Sequence, residues 1–281
     1  MWKFDTFCIA VLLTATLAAY VNGQAAPTTA PADSKADADA RPTLWIIGDS
    51  TVRNNTKGQR GWGDPIKELF DESRINVVNR AIGGRSSRTF RTDGRWEQIL
   101  SEGKPGDFVL MQFGHNDPAP LSGDNRERGT IRGVGDESQE VTLTLKEGKK
   151  EVVRSFGWYM RAYINEAKEK GMTPIVCSYV PRAPRGTPEK PAVSPTPTAE
   201  PTSYALWAKQ SAAAAGATFI DLHNLIVTKY SQHTPTEIKE RFFSEADYTH
   251  TNDAGAALNA ACVVEGIRAG DLPLKDYLKR P

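Results

Sequence analysis

The stretch Leu44-Trp45-Ile46-Ile47-Gly48-Asp49-Ser50-Thr51 decides how this chain is read. Four apolar residues run into a glycine, and a short polar turn then presents a serine. That is the pattern of a buried strand ending at a hydroxyl. In open α/β sheets, ligands and chemistry collect beyond the C-terminal ends of the strands. Taken alone, Ser50 reads as a helix N-cap, the usual employment of a serine at such a turn. A catalytic reading needs a base, an orienting acid and oxyanion donors that converge on it.

Outward from this stretch, strand and helix alternate. Leu44–Ile47 is the first predicted strand and Ile75–Val78 the second, with a helix between them over 62–70 that carries Pro65 in its first turn. A short helix over 96–100 precedes the third strand, 107–112. Residues 118–153 are polar and Gly-rich, with a small hairpin pairing 141–145 and 151–153 as an excursion from the main sheet. Phe156, Tyr159, Met160, Tyr163, Ile164 and Ala167 recur at helical spacing, and Gly171 ends that helix. Strands follow at 174–180 and 217–221, separated by a Pro-rich loop (181–201) and an Ala-rich helix (203–215). Helices are predicted at 222–230, 236–243 and 253–267, the last capped by Thr251 or Asn252. Five such alternations in one domain-sized segment predict a single parallel sheet with helices on both faces; an α+β arrangement of the same elements is the competing reading.

The ends and the composition narrow the class. The 281 residues carry 35 Lys+Arg against 34 Asp+Glu, a formal charge of +1. No basic nucleic-acid surface is implied. Phe7–Ala19 is an apolar run followed by Val21-Asn22-Gly23, which reads as a signal peptide over 1–23. It is shorter than the roughly 20 apolar residues of a membrane span, the alternative reading. Residues 24–41 hold no large apolar side chain and read as a disordered spacer. Residues 42–281 are then the folded domain of a protein that is secreted or periplasmic. Cys177 and Cys262 read as buried small hydrophobes rather than a bridge.

Four polar loops carry the chemistry: Asp49-Ser50, Gly83-Gly84-Arg85, His115-Asn116-Asp117 and Asp247-to-His250. In a parallel sheet the first three lie at one edge. A serine hydroxyl is a weak nucleophile until a base takes its proton. The tetrahedral oxyanion of acyl transfer needs pre-placed donors, each worth about 10²–10³ in rate. The N–H groups of Ser50 and Gly84 and the side-chain amide of Asn116 can supply three. Among four histidines, His250 stands three residues after Asp247, a spacing that lets the carboxylate hold Nδ1 and leave Nε2 outward. His115 reads as a structural hydrogen-bonding residue or a substrate contact, and Arg85 as a flanking substrate contact. Arg88 reads as a solvated charge that flanks the proposed site, Asp117 as a loop-stabilising Asx turn ahead of a ligand or an acid, and His223 and His233 as surface or helix-end residues. Val52 stands where a G-x-S-x-G elbow needs its second glycine, which disfavours an α/β-hydrolase. No metal-ligand spacing occurs, so no zinc site is expected. A two-carboxylate glycosidase built from Asp117, Glu245 and Asp247 would leave Ser50, Gly84, Asn116 and His250 without a shared purpose.

With all four blocks present in order over about 43–268, the sequence resembles the SGNH, or GDSL-type, hydrolases. Within them, Gly48–Thr51, Gly84–Thr89, Phe113–Asp117 and Thr249–Asn252 are most similar to rhamnogalacturonan acetylesterases of carbohydrate esterase family 12. The resemblance implies a flavodoxin-like three-layer α/β/α sandwich with a five-stranded parallel sheet in the order 2-1-3-4-5. It implies removal of acetyl groups from the pectin backbone without a cofactor or metal. Ser50 is then the nucleophile, His250 the base and Asp247 its orienting acid, with Ser50, Gly84 and Asn116 forming the oxyanion hole. Thr51 stands where many lipase-like relatives carry Leu, which favours sugar esters. The expected partner is an acetylated polysaccharide, met by a monomer with no nucleic acid and no membrane. An acetylxylan or other sugar O-acetylesterase, or a carbohydrate-binding protein with a decayed site, are the alternatives. The polar 119–153 segment and the 181–201 loop follow strands three and four and are expected on the substrate side.

Overall fold

The computed structural model describes residues 41–185 and 203–280. The expected signal peptide, nearly all of the spacer and most of the Pro-rich loop lie outside the described residues. Among the described residues there are seven strands: β1 (Thr43–Gly48), β2 (Asn76–Asn79), β3 (Phe108–Gln112), β4 (Ser138–Leu143), β5 (Lys149–Arg154), β6 (Thr173–Cys177) and β7 (Thr218–Ile220). Five of them form one parallel sheet in the order β2-β1-β3-β6-β7. Set apart the antiparallel β4–β5 hairpin and this is the expected order 2-1-3-4-5.

The apolar runs explain why the sheet is covered on both sides. All six residues of β1 and all five of β3 are buried. Leu44 and Ile46 pack with Phe108, Leu110 and Ile175 in one core, whereas Trp45 and Ile47 pack with Val109, Met111 and Val176 in the other. Successive side chains point to opposite faces, so an uninterrupted apolar strand must be covered twice. One cover is α1 (Ser87–Thr92), α2 (Arg95–Glu102), α3 (Phe156–Glu169) and α4 (Tyr204–Ala214). The other is α5 (Leu222–Tyr230), α6 (Pro235–Phe242) and α7 (Asp253–Ala269). The six residues expected on the inner face of α3 are all buried. Cys177 and Cys262 are free thiols in the same core, as their apolar surroundings suggested.

Several elements differ from the expectation. The helix expected over 62–70 is only a 3-10 turn, Pro65–Leu69. The N–H groups of Trp62 and Gly63 donate instead to Thr51 O (3.1 Å) and Val52 O (2.9 Å), which fastens this segment to the loop after β1. The fourth sheet strand stops at Cys177 rather than Val180, because β7 is three residues long and its pairing ends at Ile220. Helix α1 was not anticipated. Its signal was a capping box: Ser86 Oγ accepts from Thr89 N–H, and Thr89 Oγ1 accepts from Ser86 N–H at 2.9 Å.

Candidate active site

Gly48 ends β1 where there is no room for a side chain. A Cβ there would lie 2.6 Å from Gln112 O and 2.5 Å from Val52 Cγ2. The chain then turns tightly, with Val52 and Arg53 N–H both donating to Asp49 O at 3.1 Å. Asp49 is fully buried, and its Oδ1 accepts from Thr51 N–H (2.8 Å) and Thr51 Oγ1 (2.7 Å). Thr51 Oγ1 in turn accepts from Gln112 Nε2 at 2.7 Å, and Gln112 Oε1 accepts from Trp62 Nε1 at 2.7 Å. Hydrogen-bonded files of buried polar side chains rigidify a core. This chain fixes the Ser50 turn from below. Thr51 is 2% exposed and belongs to that network, so its place is structural and it does not line the cavity above Ser50.

The fourth loop meets Ser50 from the opposite side. His250 Nε2 lies 2.8 Å from Ser50 Oγ, and His250 Nδ1 lies 2.7 Å from Asp247 Oδ2. Asp247 Oδ1 accepts from Thr249 N–H and His250 N–H, both at 2.7 Å. Burial pushes the Asp247 carboxyl up, but these hydrogen bonds and the His250 ring outweigh it and hold the group at about 2. The loop is clamped where α6 ends and α7 begins. Ser244 N–H donates to His250 O (2.9 Å), Arg60 N–H to Thr251 O (2.8 Å), and Asn252 caps α7 by accepting from Gly255 N–H (3.0 Å). Gln59 was missed by the sequence reading. Its Nε2 donates to Asp247 Oδ2 at 3.1 Å while Asn54 Nδ2 donates to its Oε1 at 2.8 Å. A lone glutamine in a polar loop, 188 residues from its partner, carries no local signal.

The second and third loops are joined by Asp117. Ser87 N–H (3.1 Å) and Ser87 Oγ (2.5 Å) donate to its Oδ1, and Gly114 N–H donates to Oδ2 at 3.1 Å. Burial raises this carboxyl to about 7, against the pull of the Ser87 hydrogen bonds. In place of the expected Asx turn, this carboxylate ties two loops together. It brings Asn116 to Gly84: Asn116 Nδ2 donates to Arg85 O at 2.8 Å, which leaves its second amide hydrogen uncommitted. Gly84 adopts φ +79, a conformation that glycine takes at no steric cost. Neither Ser50 N–H nor Gly84 N–H donates to a protein acceptor among the described residues. Of the sequence-derived set, Ser50, Gly84, Asn116 and His250 thus line one opening, and Asp247 stands behind His250.

The flanking residues divide. Arg85 and His115 both line the cavity, which has a volume of about 750 Å³. Arg85 pairs with Asp93 at 2.7 Å. His115 hydrogen-bonds to the Val180 backbone, packs against Tyr179 (5.1 Å between ring centroids), and is held below the usual imidazole range by desolvation. Its Nε2 has no hydrogen-bond partner among the described residues. Arg88 is not a solvated charge. It is 1% exposed and donates to Glu151 Oε1 (2.6 Å), Leu121 O (2.8 Å) and Gly129 O (2.9 Å). His223, near the start of α5, is buried rather than superficial, whereas His233 lies past the end of that helix beside Arg241. The 119–153 segment lines the same cavity, through residues including Asn125, Arg126, Arg128 and Leu145. Among the described residues no group of three or more His, Cys, Asp or Glu is placed to hold a metal ion.

A hydroxyl, an imidazole and a carboxylate in hydrogen-bonded file, at the C-terminal edge of a parallel sheet, are the parts of a serine-type ester hydrolase. The chain belongs to the GDSL-like lipase/acylhydrolase family, whose profile matches residues 46–258, and it is a carboxylic ester hydrolase. It is 32% identical over 238 residues to a rhamnogalacturonan acetylesterase of Emericella nidulans, covering 85% of this chain and 89% of that protein. It is 32% identical over 240 residues to the probable rhamnogalacturonan acetylesterase YesY of Bacillus subtilis, covering 84% and 96%. The crystal structure of YxiM of Bacillus subtilis superposes with a TM-score of 0.62 at 27% identity, over 82% of this chain and 56% of that one. The acetylxylan esterase Axe2 of Geobacillus stearothermophilus shares the fold (TM-score 0.52, 20% identity, 80% and 94% covered).

Proposed function

We propose that the protein is an exported esterase that removes O-acetyl groups from a plant cell-wall polysaccharide, rhamnogalacturonan first among them. The observation that carries the reading is the Asp247–His250–Ser50 relay, with links of 2.7 and 2.8 Å. The relatives named for rhamnogalacturonan acetylesterase activity, matched over most of the chain, supply the substrate class. The Phe7–Ala19 run and the small residues after it support export.

In this reading Ser50 Oγ attacks the acetyl carbonyl carbon as His250 Nε2 takes its proton. Ser50 N–H, Gly84 N–H and Asn116 Nδ2–H receive the negative oxygen. The C–O bond to the sugar then breaks, and His250 returns the proton to the leaving sugar hydroxyl. Water, deprotonated by His250, attacks acetyl-Ser50, and acetate leaves as the serine regains its proton. Ser50→Ala is expected to lower kcat on an aryl acetate by about 10⁶-fold. The fold should survive, because the loop is held by Asp49, Thr51 and Gln112 rather than by the serine. Acetate release is then compared on acetylated pectin and acetylated xylan. Full activity in the purified variant would refute the mechanism, and release from xylan alone would refute the substrate.

A further inference from the structure

We infer that the cavity contains an anion subsite, formed by Arg126 and Arg128, that receives the carboxylate of a uronate residue in the glycan chain beside the hydrolysed ester. This rests on the sugar-ester reading above. The net charge is only +1, yet five cationic side chains line the cavity against three carboxylates. Those carboxylates are committed. Asp93 takes Arg85 at 2.7 Å and Lys146 at 3.7 Å, and Glu151 takes Arg88 at 2.6 Å. Glu127 accepts from Gly123 N–H (3.1 Å), Thr144 N–H (2.6 Å), Thr144 Oγ1 (2.7 Å) and Leu145 N–H (3.0 Å). Arg126 and Arg128 have no carboxylate within ion-pair distance among the described residues.

Arg126 is exposed at the rim, but the segment that carries both arginines is fixed. Glu127 lies between the two arginines, is 5% exposed and holds φ +46, a left-handed conformation uncommon outside glycine. Sparsely populated backbone persists where its surroundings over-determine it, and such residues cluster at functional sites. Here the surroundings are four donors, three of them on the turn of the β4–β5 hairpin. They pin the 126–128 loop at the rim of the cavity. Arg128 Nη1 donates to Gly84 O at 3.1 Å, which sets its guanidinium beside the oxyanion glycine. Desolvation and the neighbouring charge of Arg126 both weigh on the Arg128 cation, and the opposite charge of an anionic ligand would offset them. A guanidinium fork matches a carboxylate in two parallel hydrogen bonds. A cavity of about 750 Å³ is far larger than one acetyl group and leaves room for neighbouring sugars.

The probe is an unacetylated, de-esterified galacturonate oligomer, tested as an inhibitor of aryl acetate hydrolysis by the whole protein. A neutral xylose oligomer of equal length is the control. The uronate oligomer should inhibit competitively and the neutral one at least about tenfold more weakly, the weight of one charge-assisted contact. Raising the salt from about 0.05 to 0.5 M should erase most of that difference. Arg126→Gln should raise the inhibition constant of the uronate oligomer about tenfold and narrow its lead over the neutral one. Equal inhibition by the two oligomers, or an unchanged preference in Arg126→Gln, overturns the subsite. If Arg126→Gln does not fold, the salt series on the wild-type protein reads the same charge. If no aryl acetate is hydrolysed, the esterase reading has failed by itself, and calorimetric titration of the two oligomers still decides the subsite.

Discussion

Asp247 shows how much one side chain can be asked to do. Both of its oxygens accept, from Thr249 N–H and His250 N–H on one side and from Gln59 Nε2 and the His250 ring on the other. An asparagine has one acceptor and one donor end, so either orientation sets an NH₂ against an N–H. Asp247→Asn should therefore leave a folded protein whose kcat on an aryl acetate falls by about 10⁴-fold, since the imidazole loses both its tautomer and its counter-charge. Steady-state kinetics beside a thermal melt separate that from unfolding. With the carboxyl at about 2, Asp247 stays ionised across the ordinary assay range, so it adds no acid limb to the profile.

At the scale of elements, the β4–β5 hairpin is tied into the molecule by charge as well as by its small apolar cluster of Val141, Leu143 and Val153. Glu151 on β5 reaches Arg88 on α1, which is 1% exposed. Removing one partner of a buried pair leaves an uncompensated charge. Glu151→Gln is accordingly expected to cost on the order of 3 kcal/mol in urea unfolding. Two carbonyls, Leu121 O and Gly129 O, still accept from Arg88, so the loss should fall short of unfolding the domain. An unchanged midpoint would mean that the pair adds nothing beyond those two hydrogen bonds.

For the molecule as a whole, two carboxyls pull stability in opposite directions with pH. Burial raises Asp117 from 3.8 to about 7. Between those values the folded state keeps a proton that the unfolded chain has lost, so this contribution declines as pH rises through the window. Asp247 is lowered from 3.8 to about 2. Its contribution is complete above about 4 and is lost as pH falls towards 2. The wild-type protein should therefore lose melting temperature relative to Asp117→Asn between about pH 4 and pH 7. Parallel melting curves for the two proteins over that range would contradict it.

The middle of the sheet was legible in the sequence because β1 and β3 are short apolar runs that no half-exposed strand would tolerate. Ser50 and the four residues brought to it were legible because each sits in a distinctive local motif, and strand order alone carries three of those motifs to one edge. Local pattern could not show long-range partners. Gln59 on Asp247, Glu151 on Arg88 and Ser87 on Asp117 are contacts across 188, 63 and 30 positions. Arg88 was misread as solvated because a charge without a visible partner normally is, and the burial of Thr51 was invisible because it depends on Gln112 from another strand. Tertiary structure alone decided which polar side chains are buried, since desolvation and pairing depend on neighbours that the chain supplies from far away.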